Sequence, residues 1–129
     1  MTTTAQPTTT TTTTTAALLD SLATAIEAKD ATAVAAHYAP GATLSLLDRD
    51  HPPADPTIYA GTDEIEAYFR EICGRNVDHR VADRVASADR IAFTEHCRYP
   101  SGQRVLCIAV ATVRDGLIVD QTGVQVWDA

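Results

Sequence analysis

Cysteine is scarce and unpaired in this chain. Cys73, Cys97 and Cys107 are its three cysteines. An odd number without Cys-x-x-Cys spacing excludes a disulfide framework and points to buried thiols in a reducing, cytoplasmic setting. Basic residues are also few. Ten Lys+Arg stand against 17 Asp+Glu, for a net charge of −7 at pH 7. An acidic domain repels phosphate backbones, so no nucleic-acid partner is expected. No stretch approaches the ~18 apolar residues that span a bilayer. The N-terminal segment lacks the basic start and apolar run of a secretory signal. No membrane partner is therefore expected. The four histidines lack metal-site spacing, and there is neither a Gly-rich phosphate loop nor a Gly-x-Ser-x-Gly elbow. The expectation is a domain without metal or cofactor.

What is present begins with threonine. Residues 1–15 are almost all Thr, with Ala5, Gln6 and Pro7 as the interruptions after Met1. Such a run has nothing to bury and is expected to be a disordered tail. That leaves one domain, 16–129, large enough to bury a core. A first helix is predicted over Ala16–Lys29, where Leu18, Leu19, Leu22, Ala25 and Ile26 form one stripe. Asp30 can cap a second, short helix through Tyr38, which Pro40-Gly41 stops. Ala42–Leu47 reads as a strand. Asp48–Gly61, with three prolines, is a long connection of the kind that forms lids; His51 lies in it. Thr62 can cap a third helix with Ile65, Tyr68, Phe69 and Ile72 buried. Val77–Val85 has period two and reads as a strand, with His79 alternating among valines in a structural role.

The last third, Arg90–Trp127, holds three apolar-rich stretches broken by Pro100-Ser101-Gly102-Gln103 and Arg114-Asp115-Gly116. This is the pattern of an antiparallel meander. Helices gathered on one face of such a sheet make an α+β domain. A four-residue first connection pairs Tyr99 with Arg104. One face then carries Ala92, Thr94, His96, Arg98, Val105, Cys107, Ala109, Ala111 and Val113. It is small with isolated polar groups, as in a ligand cavity. The other carries Ile91, Phe93, Glu95, Cys97, Tyr99, Leu106, Ile108 and Val110, and Glu95 is its one charged residue. So apolar a face is expected to be covered by a second copy of the chain. The second turn leaves two registers open. A two-residue Asp115-Gly116 turn directs Ile118, Asp120, Thr122 and Val124 to the cavity; a three-residue loop directs Val119, Gln121, Gly123, Gln125 and Trp127 there.

Several pieces, in this order and spacing, carry a resemblance. They are Ala28-Lys29-Asp30, then Ala36-His37-Tyr38-Ala39-Pro40-Gly41-Ala42, then Tyr59-Ala60-Gly61 before Ile65-Glu66-Ala67-Tyr68-Phe69, and Arg114-Asp115-Gly116-Leu117-Ile118. Over nearly all of 16–129 the chain resembles the nuclear transport factor 2-like superfamily, in particular its SnoaL-like branch of polyketide cyclases. The resemblance implies a cone: a curved antiparallel sheet wrapped around three helices, with an internal pocket. It also favours Gln121, Gly123 and Gln125 facing inward. The positions matching the ketosteroid isomerase tyrosine, base and acid are Leu22, Leu46 and Ala109 or Ala111, so that mechanism is not expected. Epoxide hydrolases use an Asp-Arg-Asp arrangement, for which Arg98 is available but His96 stands where an aspartate is needed. SnoaL-type cyclases pair a histidine with an aspartate, roles open to His96 and, in one register, Asp120.

The resulting expectation is a cofactor-free acid–base enzyme acting on an apolar, carbonyl-bearing metabolite. His96 and Arg98 are the expected catalytic residues. Tyr38, Thr94, Cys107, Gln121, Gln125 and Trp127 are expected around the substrate. The alternatives are a non-catalytic binding or dimerising domain and an epoxide hydrolase-like enzyme.

Overall fold

The computed structural model describes residues 8–128. Three helices and six strands follow one another in the order α1 (Thr8–Glu27), α2 (Ala31–Ala35), β1 (Tyr38–Leu47), β2 (Thr57–Ala60), α3 (Thr62–Cys73), β3 (Asp78–Ala86), β4 (Arg90–Arg98), β5 (Arg104–Arg114) and β6 (Leu117–Trp127). The strands form one curved sheet in the order β2-β1-β6-β5-β4-β3. All neighbours are antiparallel except β1 and β6, which run parallel, so the sheet is mixed rather than purely antiparallel.

Helix α1 buries the expected stripe, Leu18, Leu19, Leu22, Ala25 and Ile26. It starts at Thr8, earlier than the predicted Ala16. Once a helix is nucleated, each added Thr costs only its propensity, up to about 0.7 kcal/mol. Thr15 offsets this by burying its side chain and donating its hydroxyl to the Ala88 carbonyl at 3.1 Å. The threonine run from Thr8 is thus helical rather than a disordered tail; residues 1–7 of that expected tail lie outside the described residues. The helix closes with Lys29 at φ 58. Asp30 N–H reaches back to Ala25 O and Lys29 N–H to Ile26 O, the double bond of a Schellman turn. Asp30 then caps α2 by accepting from Ala33 N–H.

Helix α2 is shorter than predicted, because Tyr38 already pairs with Ile118 of β6. The proline-rich connection holds a strand that the sequence reading missed. β2 pairs with β1 through Thr43–Ala60 to Leu46–Thr57 and extends the sheet past β1.

Two turns and two bulges set which side chains point inward. At the first turn, Gly102 N–H donates to Tyr99 O, and Tyr99 N–H donates to Gln103 O. Gly102 has φ 93. This is a three-residue loop, Pro100–Gly102, closed by a glycine bulge. It pairs Arg98 with Arg104, Glu95 with Cys107 and Phe93 with Ala109. The expected four-residue loop is one residue longer, and one residue exchanges the faces of a strand. Ile91, Phe93, Glu95 and Cys97 therefore share the inner face with Val105, Cys107, Ala109 and Ala111. Thr94, His96 and Arg98 lie on the outer face.

The second turn combines both open registers. Asp115 (φ 53) and Gly116 (φ 77) form the two-residue turn, and Arg114 pairs with Leu117. A bulge between Val113–Ile118 and Thr112–Asp120 then shifts the phase. Gln121, Gly123 and Gln125 face inward beyond it. A second bulge lies in β3, between the Ala82–Thr94 and Val85–Ala92 pairs, where Asp83 has φ 51. His79 and Val81 point inward before it, and Val85 is exposed after it.

Gly102 generates a test of this register. Gly102→Ala places a Cβ at φ 93, and should cost about 1–2 kcal/mol. Gly41→Ala, with open space around it and no left-handed φ, should be neutral or stabilising by up to about 1 kcal/mol. Urea unfolding of both variants checks the contrast.

Candidate functional site

The inner faces of β3, β4, β5 and β6 line up in rungs. His79, Cys97, Val105 and Trp127 form one; Val81, Glu95, Cys107 and Gln125 form the next. Further in come Phe93, Ala109 and Gly123, then Ile91, Ala111 and Gln121. The inner two rungs are closed by Leu46 and Leu44 of β1. A Cβ at Gly123 would stand 3.0 Å from Leu46 Cδ2 and 3.4 Å from Cys107 Sγ, so the absence of a side chain there makes room for these two inward-facing side chains of the neighbouring strands.

Above these rungs lies a narrow cavity bounded by α3 (Tyr68, Phe69, Ile72, Cys73), Arg75, Val77 and Tyr99. Its lining is mainly apolar, with His79, Glu95, Gln121 and Gln125 as polar groups. The space open to water centres is about 70 Å³, room for several waters at about 10–15 Å³ each.

Glu95 and His79 form the centre of this cavity. His79 Nδ1 lies 2.9 Å from Glu95 Oε2, with the His79 side chain 2% and the Glu95 side chain 17% exposed. A carboxylate only accepts, so Nδ1–H donates to it. In the neutral ring so oriented, it is Nε2 that carries the lone pair. Nε2 is buried, and no described residue bonds to it. Cys97 Sγ lies 3.3 Å from Nδ1 and donates its S–H to the same Oε2 at 3.4 Å. Among the described residues Glu95 has no Lys or Arg within ion-pair distance. Its charge is felt by its neighbours. Burial, the Glu95 charge and the hydrogen bond to it push the Cys97 thiol far up, and burial with the Glu95 charge pushes Cys107 up to about 12. Burial is also the main cause that raises Tyr38 and Tyr68.

The amides complete the polar set. Tyr38 O–H donates to Gln121 Oε1 at 2.7 Å, both groups buried. That fixes the Gln121 amide and leaves its NH2 as the donor for a ligand. Gln125 Nε2 lies 3.5 Å from Tyr68 Oη. At the mouth Tyr99 stacks on Trp127, and Arg75 donates to Tyr99 Oη at 3.1 Å.

Of the residues expected from sequence, Cys107, Gln121, Gln125 and Trp127 line the cavity. Tyr38 is buried behind it, beside Phe69. His96, Arg98 and Thr94 are placed elsewhere. They sit on the outer face, where Thr94 Oγ1 donates to Asp83 at 2.6 Å and lies 3.2 Å from His96 Nε2. The one-residue difference at the Pro100–Gly102 loop is the physical reason. Asp120 is exposed as well. His37 links α1 and α2 through Ser21 and Ala33, and His51 pairs with Asp48. Sequence reasoning missed His79, Glu95 and Cys97. The available signal was Glu95 itself, an isolated carboxylate in an otherwise apolar row.

A family model described as the SnoaL-like domain matches residues 19–121. The chain belongs to this SnoaL-like family. Solved structures agree in fold. An NTF2-like protein from Mesorhizobium loti has a TM-score of 0.78 at 17% identity, covering 89% of this chain and 93% of that one. A protein from Kribbella flavida DSM 17836, named as a candidate ketosteroid isomerase, has a TM-score of 0.75 at 18% identity, covering 92% and 80%. A computationally designed 17-OHP binder has a TM-score of 0.66 at 17% identity, covering 90% and 98%. No curated protein matches the chain. No helix among the described residues of this SnoaL-like domain is long and apolar enough to cross a membrane.

The raised thiols make the stability of this SnoaL-like domain fall at alkaline pH. Below pH 9.0, the ordinary value, Cys107 is protonated folded and unfolded, and its contribution to stability is fully present. As pH rises from 9 toward about 12 the unfolded thiol ionises first, and that contribution is lost. Cys97 acts in the same direction. Urea midpoints should be flat from pH 7 to 8.5 and fall progressively above pH 9.

Proposed function

We propose that this SnoaL-like domain is an enzyme that moves a proton beside a carbonyl of an apolar metabolite, with His79 as the proton-transfer group and Glu95 orienting it. One observation carries the reading. A buried histidine is hydrogen-bonded to a carboxylate at Nδ1, and its Nε2 has no partner among the described residues, beside an apolar cavity that contains amide groups. Nε2 takes the proton from the carbon next to the carbonyl. The C–H electron pair forms the enolate, whose oxygen an amide of the cavity can hold, Gln125 standing in the rung next to His79. Return of the proton at another carbon completes an isomerisation. Attack of the enolate carbon on a second carbonyl, with the Nε2 proton passing to the alkoxide oxygen so formed, completes an aldol cyclisation; removal of a further α proton by Nε2 and its return to the hydroxyl as that leaves as water completes a dehydration. The acid–base role first expected of His96 passes to His79, and the oxyanion role expected of Arg98 passes to the cavity amide. Arg98 lies outside the cavity, which removes support for an epoxide hydrolase-like arrangement.

A binding domain without chemistry is the competing reading. The apolar residues Leu22, Leu46 and Ala109 or Ala111 favour it, since the resemblance sets them where ketosteroid isomerases carry their functional groups. One experiment separates the two. Apolar ketones, aromatic polyketide-like compounds and steroids are screened by thermal shift, and stabilising compounds are assayed for turnover. His79→Gln should lower kcat about 10²–10⁴-fold, with His96→Gln unchanged. Full turnover in His79→Gln contradicts the mechanism, and binding without turnover in wild type favours the binding domain.

The outer sheet face supports a second part of the proposal. Ile108 and Val110 of β5 and Val124 and Val126 of β6 are exposed side by side, at 44–63%. The expected outer set loses five members, because Ile91, Phe93, Glu95 and Cys97 turn to the inner face and Tyr99 lines the cavity; Leu106, Ile108 and Val110 remain. We infer that a second copy of the chain covers this patch. Ile108→Glu with Val126→Glu should convert a dimer to a monomer in sedimentation; a wild-type monomer at micromolar concentration contradicts the interface. Three free thiols suit a reducing compartment such as the cytoplasm.

A further inference from the structure

The three groups at the head of the cavity are chemically a metal-binding set. His79 Nδ1, Glu95 Oε2 and Cys97 Sγ are mutually 2.9, 3.3 and 3.4 Å apart, so each residue offers one ligand atom within metal-binding reach of the other two. Tetrahedral zinc with bonds of about 2.0–2.3 Å places its donors about 3.3–3.6 Å from one another. The observed triangle needs to open by only a few tenths of an ångström. All three residues stand on the adjoining strands β3 and β4, so the set is held by a ladder rather than a loop.

We propose that His79, Glu95 and Cys97 bind a zinc-type divalent cation, with the fourth position open to the cavity. One imidazole, one carboxylate and one thiol suit zinc or cobalt; calcium and magnesium require mainly oxygen. A further observation points to a cation. Glu95 has no fixed positive partner among the described residues, although its side chain is only 17% exposed.

The protons balance as follows. Nδ1 gives up its proton to bind the metal, and Nε2 takes one, so the imidazole releases none. Glu95 enters as a carboxylate. Cys97 binds as thiolate and releases one proton per metal. The metal-bound ring thus carries its proton on Nε2 and cannot act there as a base. Occupancy therefore inhibits proton transfer. That consequence rests on the reading under Proposed function; the binding itself does not.

The test uses cobalt and zinc with the full, reduced chain. Co²⁺ should bind one to one, with a thiolate charge-transfer band in the near ultraviolet and the intense visible bands of a four-coordinate site. Zn²⁺ should displace it. Calorimetry in buffers of different ionisation enthalpy should report about one proton released per metal. Cys97→Ser should lose the charge-transfer band, and His79→Ala should weaken affinity at least about 100-fold. His96→Ala and Cys107→Ser should retain both band and affinity. Circular dichroism confirms that each variant is folded. Absence of a thiolate band in wild type, or a band that survives Cys97→Ser, overturns the site. Because this readout requires no substrate, failure of the acid–base reading leaves it intact, and failure of the metal site leaves the acid–base reading intact.

Discussion

The backbone of Gly102, at φ 93, decides which chemistry this protein holds inside. The Pro100–Gly102 loop fixes the pairing of β4 with β5, and side chains alternate along a strand. A one-residue change there would bring Thr94, His96 and Arg98 inward and expel Phe93, Glu95 and Cys97. The bulge after Val113 performs the same service for β6, turning Gln121 inward and Asp120 out. Local conformation at two turns thus precedes every statement about the site. Packing agrees with the outcome, because Ile91 and Phe93 are both nearly fully buried.

The cavity depends on a small polar network surviving in an apolar setting. Glu95 carries the only charge in its rung, and burying such a group unpaired is costly. It accepts from His79 and Cys97, and the same contacts give those two groups their state. Nδ1 of His79 is held as a donor, leaving Nε2 bare; Cys97 is held as a thiol. At the deep end, Tyr38 and Gln121 satisfy each other in the same way. Small residues at Ala109, Ala111 and Gly123 supply the room, while Tyr68, Tyr99 and Trp127 are the large aromatic groups of its lining. An arrangement of this kind suits either a proton transfer or a cation, because both exploit the same electron-rich corner.

Much of the fold was legible in the sequence. The α1 stripe, the buried face of α3 and the three-stranded meander follow from periodicity, and the SnoaL-like resemblance rests on their order. β2 was hidden because its four residues lie among prolines and pair only with β1. The helical start at Thr8 was hidden because threonine has weak propensity and the compensating contact, with Ala88, is 73 residues away. At the site, Cys107, Gln121, Gln125 and Trp127 were recoverable because they belong to β5 and β6. The residues of β4 were not. A four-residue turn and a three-residue loop with a glycine bulge share one sequence, and only the hydrogen bonds of Tyr99 distinguish them. His79 depended further on the pairing of β3 with β4, which no local pattern specifies.

The central claim concerns a single ring: His79 is held by Glu95 at Nδ1 and presents an unprotonated Nε2. Long-range proton–nitrogen NMR of the imidazoles tests it directly, since the two nitrogens of a neutral ring report separately which one carries the proton. The account predicts that His79 is the Nδ1–H tautomer at neutral pH, and that Glu95→Gln disturbs its signals and leaves those of His96 in place. An Nε2–H tautomer at His79, insensitive to Glu95→Gln, would contradict it.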